Sequence, residues 1–291
     1  MPVVQLEKHM IERSPANEKR TILGPFLKMH GRGCMSYSTL QPEFEYLVDD
    51  NMGYIAYFTF KHPFLAPLGR KIVLADPIAA PEDWQTLLRK FLARYPDVIF
   101  LQVSRQFACV LDDYGLQVNQ LGVETELTLK DFTLNGKGRG KLRQWRNTCR
   151  REGILVGESD ILRMDLAEVQ RISQDWLRRK GGHELRILTR PLVYTHEDDV
   201  RYFWATQNEK LVGMAIFDPM YDRNRVIGYY HNFDRIISNV PHGTGAYCVV
   251  EAISRFQLEG VSVLSLGLSP LSEINDDLNH SRTLSRIAHL L

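Results

Sequence analysis

The stretch from Val226 to Leu271 constrains the fold more than any other part of the chain. It reads VIGYYHNFDRIISNV, PHGTG, AYCVVEAISRFQLEG and VSVLSLGLSPL. The first segment is rich in β-branched and aromatic residues, which fit a half-buried pleated surface, so it reads as a strand. Pro241, Gly243 and Gly245 break it and permit a tight backbone turn. Ala246, Val249, Ile253 and Phe256 then recur at spacings of three and four, the signature of a helix that buries one face. Gly260 closes the helix, and Val261, Val263 and Leu264 open a short buried strand. The unit is strand, glycine loop, helix, strand. Such a loop aims unpaired backbone N–H groups and the positive end of the helix dipole at whatever docks there, usually an anion.

At 291 residues the chain is long enough for two domains of about 100–200 residues each. Its formal net charge of +1 carries no information about partners, so any electrostatic argument must be local. No apolar run approaches the ~18 residues that span a bilayer. The first twenty residues lack the apolar core of a secretory signal, and a cytoplasmic location is expected. Cys34, Cys109, Cys149 and Cys248 are scattered, and the histidines show no zinc-protein spacing. No metal and no cofactor is expected.

Residues 1–24 are polar and interrupted by Ser14-Pro15-Ala16-Asn17, and read as a helical or frayed lead-in. Phe44 to Phe60 reads as a hairpin turning at Asp49–Gly53, followed by a strand at 71–77. Pro81 to Tyr95 is an amphipathic helix burying Trp84, Leu87, Leu88, Phe91 and Leu92. A strand follows at 98–104, then a short helix from Gln106 to Tyr114, and another strand within 121–134. Beyond residue 154 the grammar repeats. A helix runs from Asp165 to Lys180, a hairpin turns at Asn208-Glu209, and the unit at 226–271 follows. The fold class is α+β, with two consecutive halves at 25–135 and 154–291.

Between the halves, GKGRGKLRQWRNTCRREG (136–153) is helical after a glycine-rich entry. Arg143, Arg146 and Arg150 fall on one stripe, and Lys137, Arg139, Lys141 and Arg151 add charge. No acid opposes them before Glu152. The segment is either a solvated face or the contact for a phosphate-bearing partner, nucleic acid or anionic lipid. In YYHNFDR, simple strand alternation puts His231, Phe233 and Arg235 on one face and Tyr230, Asn232 and Asp234 on the other. Arg235 is either half of a structural Asp–Arg pair or the cation that holds a developing negative charge. His242 is a surface turn residue or a general base.

These motifs, in this order, resemble the C-terminal synthase domain of lysyl-phosphatidylglycerol synthases, a family with tandem GNAT-like halves. The likeness covers roughly residues 25–275. It runs through VLADPIAAPEDWQTLLRKF, IFLQVS, LDDYGL, LGVETELTLKDFTLNGKG, LRQWRNTCRREG, WLRRKGGHELRILTRPL, the Arg235 to Thr244 segment and LGLSPL. The resemblance implies two mixed central sheets flanked by helices and joined by the basic helix. It implies an aminoacyltransferase that takes an amino acid from aminoacyl-tRNA and places it on a lipid or small-molecule acceptor, with peripheral contact at the inner face of a membrane allowed. It makes Arg235, Asn232, Asp234 and His242 the catalytic candidates. Lys180, Glu184, Gly243, Thr244 and Gly245 become the substrate-binding candidates, and Lys137, Arg139, Lys141, Arg143, Arg146 and Arg150 the tRNA-binding ones.

Two departures stand out. Where the family motif is Asp-x-x-Arg, alignment on Arg235 puts Asn232 in the aspartate position. Where the family has Pro-Asn-Gly-Thr-x-Asp, this chain has Pro241-His242-Gly243-Thr244-Gly245-Ala246. Both remove a carboxylate, which leaves two further readings open: an acyl-CoA-dependent N-acyltransferase, or an inactive protein that binds tRNA or anionic lipid. Against the first, Val240 stands where a pyrophosphate loop carries Gln or Arg.

Overall fold

Aromatic and β-branched residues between Glu45 and Leu74 pair into three antiparallel strands, β1 (Glu45–Asp49), β2 (Gly53–His62) and β3 (Ala66–Leu74). The computed structural model describes residues 16–64, 66–181 and 189–274. Asp49 makes the first turn where the sequence places it, its carboxylate accepting from the Asn51 amide at 3.1 Å. A short β4 (Ile78–Ala79) pairs with β2, and β5 (Val98–Leu101) runs parallel to β3, giving a mixed sheet ordered β1-β2-β3-β5. The parallel pair needs a crossover, which α2 (Trp84–Arg94) supplies. Its buried face is Trp84, Leu87, Leu88 and Phe91, with Leu92 partly covered. These pack with Ile55, Tyr57, Val73, and Phe107 of α3 (Arg105–Asp113) into one core.

Of the two readings of the lead-in, helical or frayed, its described part is helical. An α-helix, α1, spans Ala16–His30 and continues through Pro25. Leu23 and Leu27, four apart, give it a fully buried seam. The buried Lys19 ammonium donates to the carbonyls of Pro42 (3.0 Å) and Phe44 (2.9 Å), and burial lowers its pKa. A charged residue with two carbonyl partners can sit inside, and a composition-based reading misses that.

The second sheet is ordered β6-β11-β10-β9-β8-β7. Its strands are β6 (Gly122–Thr128), β7 (Ile154–Glu158), β8 (Arg201–Gln207), β9 (Lys210–Asp222), β10 (Arg225–Ile236) and β11 (Val263–Pro270). The helices are α4 (Gly140–Arg151), α5 (Leu166–Arg179) and α6 (Thr244–Leu258). Here too one pair, β10 and β11, is parallel, with α6 as its crossover. Asp165 caps α5 by accepting from the amides of Ala167 and Glu168. The β8–β9 turn falls at Asn208-Glu209, both in the left-handed region. Gly260 follows α6 as expected, with the Val261 amide closing onto the Phe256 carbonyl at 3.0 Å.

The chain divides into two compact units. The first holds the residues up to Glu124, the β9–β10 tip at 220–225 and the end of β11. The second holds 125–219 and 226–267. The boundary therefore falls within β6, ahead of the basic helix, and α4 belongs to the second unit.

The first unit's core rests on Phe91, which has no exposed surface and touches the rings of Tyr57, Tyr95 and Phe100. Phe91→Ala is expected to lower the unfolding free energy by about 3–5 kcal/mol. Urea denaturation monitored by circular dichroism measures this, and a loss under ~1 kcal/mol would mean that this core is not packed as described.

Candidate functional site

The glycine turn is fixed from two sides. Gly243 has φ +94°, and a β-carbon there would lie 2.3 Å from the Trp145 ring carbon of α4. Neither the backbone conformation nor the space admits a side chain. His242 sits edge-on to the same indole, ring centres 5.3 Å apart. Thr244 is buried, its hydroxyl donating to the Pro241 carbonyl at 2.7 Å and lying 3.6 Å from the Cys149 thiol of α4. A β-carbon on Gly245 would lie 2.1 Å from the Asp234 carboxylate. The turn is thus glycine-rich because an indole and a carboxylate occupy the space.

Asp234 changes the reading of the turn. A carboxylate beside the first turn of α6 answers the positive end of that helix from within the chain. Asp234 also comes within 3.9 Å of His231 Nε2, so the two share a side, and the alternation expected along β10 slips by one residue between them. An irregularity of this kind re-aims side chains locally, as bulges do. Burial among neighbours that include Phe217 lowers the His231 pKa, with Asp234 pulling the other way.

Asn232 is buried and engaged on both sides of its amide. Its Oδ1 accepts from the Arg190 backbone N–H at 3.1 Å, and its Nδ2 donates to the Arg190 carbonyl at 3.0 Å. Only a side chain that donates and accepts satisfies both groups. A carboxylate would face the Arg190 carbonyl with a lone pair. The Arg190 side chain is itself buried and doubly paired. It donates to Asp218 from Nε (3.0 Å) and Nη2 (2.5 Å), and from Nη1 to both Glu197 oxygens (3.0 and 2.9 Å). Tyr202 adds a hydroxyl to Glu197 at 3.2 Å.

Arg235 is buried with its guanidinium over the rings of Phe233 (4.2 Å) and Trp176 of α5 (5.6 Å). The Lys180 ammonium lies 5.9 Å from the same Trp176 ring, so one indole carries both cations. Arg179 ties the end of α5 to β10 by donating to the Ile236 carbonyl. Glu184 lies outside the described residues.

The basic stripe resolves into two groups. Arg143 donates to the carbonyls of Leu134 and Gly136, the latter at 2.7 Å, and Arg150 bridges the Tyr247 hydroxyl (3.1 Å) and Glu251 (2.8 Å) of α6. These two brace the helix. Lys137, Arg139 and Lys141 cluster at its start, with Arg139 over Phe132 and Lys141 over Trp145. Among the described residues no carboxylate pairs with those three or with Arg146. Three cations at the positive end of a helix repel one another and the dipole, and gain when an anion docks.

A family model described as phosphatidylglycerol lysyltransferase, C-terminal, matches residues 27–291. The chain belongs to that family. It is 25% identical over 211 residues to a phosphatidylglycerol lysyltransferase of Bacillus subtilis (70% of this chain, 24% of that protein), and 33% identical over 116 residues to one of Staphylococcus xylosus (38% and 14%). The chain therefore spans about a quarter or less of these two relatives. Among solved structures, L-PGS from Bacillus licheniformis superposes with a TM-score of 0.76 at 21% identity, covering 96% of this chain and 83% of that one. FemX superposes at 0.55 and 10%, covering 96% and 93%. The fold these structures share with the chain is α+β, with two mixed sheets flanked by helices.

Within this lysyltransferase-family fold, sequence reasoning missed Arg190, Glu197 and Asp218, and gave Trp145 and Trp176 only a packing role. One signal was available. Asp218 is the one acid inside the apolar run LVGMAIFDPMY of β9, and a buried acid needs a partner. The partner's identity was not legible, because Arg190 lies 28 residues away.

Asn232→Asp, which restores the family residue, is expected to lower stability by about 1–3 kcal/mol at neutral pH, the cost of an acceptor facing an acceptor. Protonating the introduced carboxylate restores a donor, so the deficit in thermal midpoint relative to wild type should shrink as pH falls toward 4, near the carboxylate range of about 3.9. An unchanged midpoint would refute the clamp. His231 gives a second test. Its folded pKa lies below that of the unfolded chain, so its contribution is fully present above about 6.5 and is lost as pH falls below that value. Thermal melts of wild type should fall more steeply than those of His231→Phe between pH about 7.5 and 5.5.

Proposed function

We propose that the chain is an aminoacyltransferase that moves an amino acid from aminoacyl-tRNA to a hydroxyl or amine of a phosphatidylglycerol-like lipid or a small-molecule acceptor. The observation that carries this reading is the seating of the basic start of α4 against the glycine turn through Trp145. A phosphate-bearing strand held by Lys137, Arg139 and Lys141 lies next to the turn flanked by Asp234 and His242. The relatives named phosphatidylglycerol lysyltransferase support the same class of reaction.

In the reaction the acceptor hydroxyl attacks the ester carbonyl of the aminoacyl group. An oxyanion forms, and the ribose hydroxyl of the tRNA leaves with the proton the acceptor gave up. Orientation of two substrates and charge stabilisation supply most of the rate. Arg235 is the cation assigned to the developing oxyanion. His242 is the candidate for the proton, with Asp234, 41% exposed beside the α6 start, as the carboxylate on that side of the turn. Asn232 takes no proton in this scheme, since both ends of its amide hold Arg190. A carboxylate at the helix start also disfavours the pyrophosphate of an acyl-CoA.

The test is incubation of the protein with labelled aminoacyl-tRNAs, mixed lipid vesicles and a cell extract, followed by mass analysis. Label is expected to leave the RNA for a lipid or small-molecule product. Arg235→Ala should slow this by about 10²-fold, and Lys137→Glu with Lys141→Glu should weaken tRNA binding and flatten its salt dependence. Transfer from acyl-CoA but from no aminoacyl-tRNA would overturn the assignment.

A further inference from the structure

The two most exposed large apolar side chains among the described residues are Phe64 and Leu68, 89% and 95% accessible. Both sit on the β2–β3 ribbon of the first unit. The neighbouring strands leave this ribbon early: β1 pairs with β2 only as far as Tyr57, and β5 pairs with β3 only from Lys71. Residues 58–64 and 66–70 therefore extend past the sheet as a two-stranded arm. Phe60 pairs with Arg70 and His62 with Ala66, and the register shifts between the two pairs, so the ribbon is irregular toward its tip. His62 stacks on Phe60 at 6.2 Å and lies the same distance from Phe64, which continues the row to the tip.

An arm that shows apolar side chains to water has a cost unless something covers them, and its charges indicate what does. From Lys61 to Lys71 there is no carboxylate, while Lys61, Arg70 and Lys71 are cationic. Arg70 and Lys71 meet Asp97 and Glu45 at the base of the arm, and Lys61 is exposed along it. Apolar residues at the tip, with the exposed Lys61 set back from it and no carboxylate from there to Lys71, match the depth profile of a bilayer surface, with acyl chains below and anionic headgroups above.

We propose that the β2–β3 arm is a membrane-docking finger that inserts Phe64 and Leu68 into an anionic lipid surface. The inference rests on the reading that the acceptor is a lipid, and it supplies the route by which a chain whose described helices are too short and polar to cross a membrane reaches one.

The test is flotation of the full chain with phosphatidylcholine vesicles, with and without phosphatidylglycerol. Wild type should bind only the anionic vesicles. Phe64→Ser with Leu68→Ser should reduce partitioning by about 30-fold or more, and Lys61→Glu should reduce it by about 5-fold. Both variants should melt as wild type does, since the side chains touch little. Transfer to vesicle lipid should fall with binding, while transfer to a short-chain, monomeric phosphatidylglycerol should be unaffected. Equal binding by wild type and the double variant would overturn the proposal. So would a wild-type dimer dissociated by the double variant without vesicle binding, which would assign the arm to a second copy. Finger-dependent binding without transfer to any lipid would uphold the finger and reject the lipid-acceptor reading. Transfer to lipid without finger-dependent binding would do the reverse.

Discussion

The second unit depends on a guanidinium that has been removed from water. Arg190, Glu197 and Asp218 are all buried, and desolvating three charges is tolerable only because each finds its partner in the same place. The group joins three parts of the chain. Arg190 and Glu197 come from the connection after α5, Asp218 from the middle of β9, and Asn232 of β10 grips the Arg190 backbone. Deleting one member leaves an uncompensated buried charge, with a typical cost of about 3–5 kcal/mol. The arrangement fixes where Arg190 and Glu197 meet β9 and β10.

The glycine turn is the second constraint, and it works by exclusion. Trp145 fills the volume beside Gly243, and Asp234 fills that beside Gly245. Close approach of α4 to the α6 start then follows, and with it the placement of three cations near the turn. Arg143 and Arg150, from the same stripe, contribute by holding α4 in position through carbonyls, a tyrosine hydroxyl and Glu251. One helix thus divides its charge between bracing the fold and presenting a positive end.

Much of the secondary structure was legible because periodicity and punctuation agreed. The β8–β9 turn, the α2 face, the α5 helix and the α6 stop each rest on residues within a few positions of one another. The misreadings share a different cause. The burial of Lys19 in α1 was not legible, because the carbonyls of Pro42 and Phe44 that accept from it lie 23 and 25 residues away. The two-sided pattern assigned to β10 failed at Asp234 because a local irregularity re-aims side chains without marking the sequence.

The sequence by itself determined the family, the α+β class, the strand–turn–helix–strand unit and the presence of a strongly basic helix, since these follow from local order and short-range chemistry. Tertiary structure alone decided what each polar residue does. Asn232 is a backbone clamp, Asp234 answers a helix dipole, and Arg143 and Arg150 are braces, because their partners lie from seven to about a hundred residues away. A pairing over that distance is set by how strands and helices pack, and no spacing in the chain encodes it.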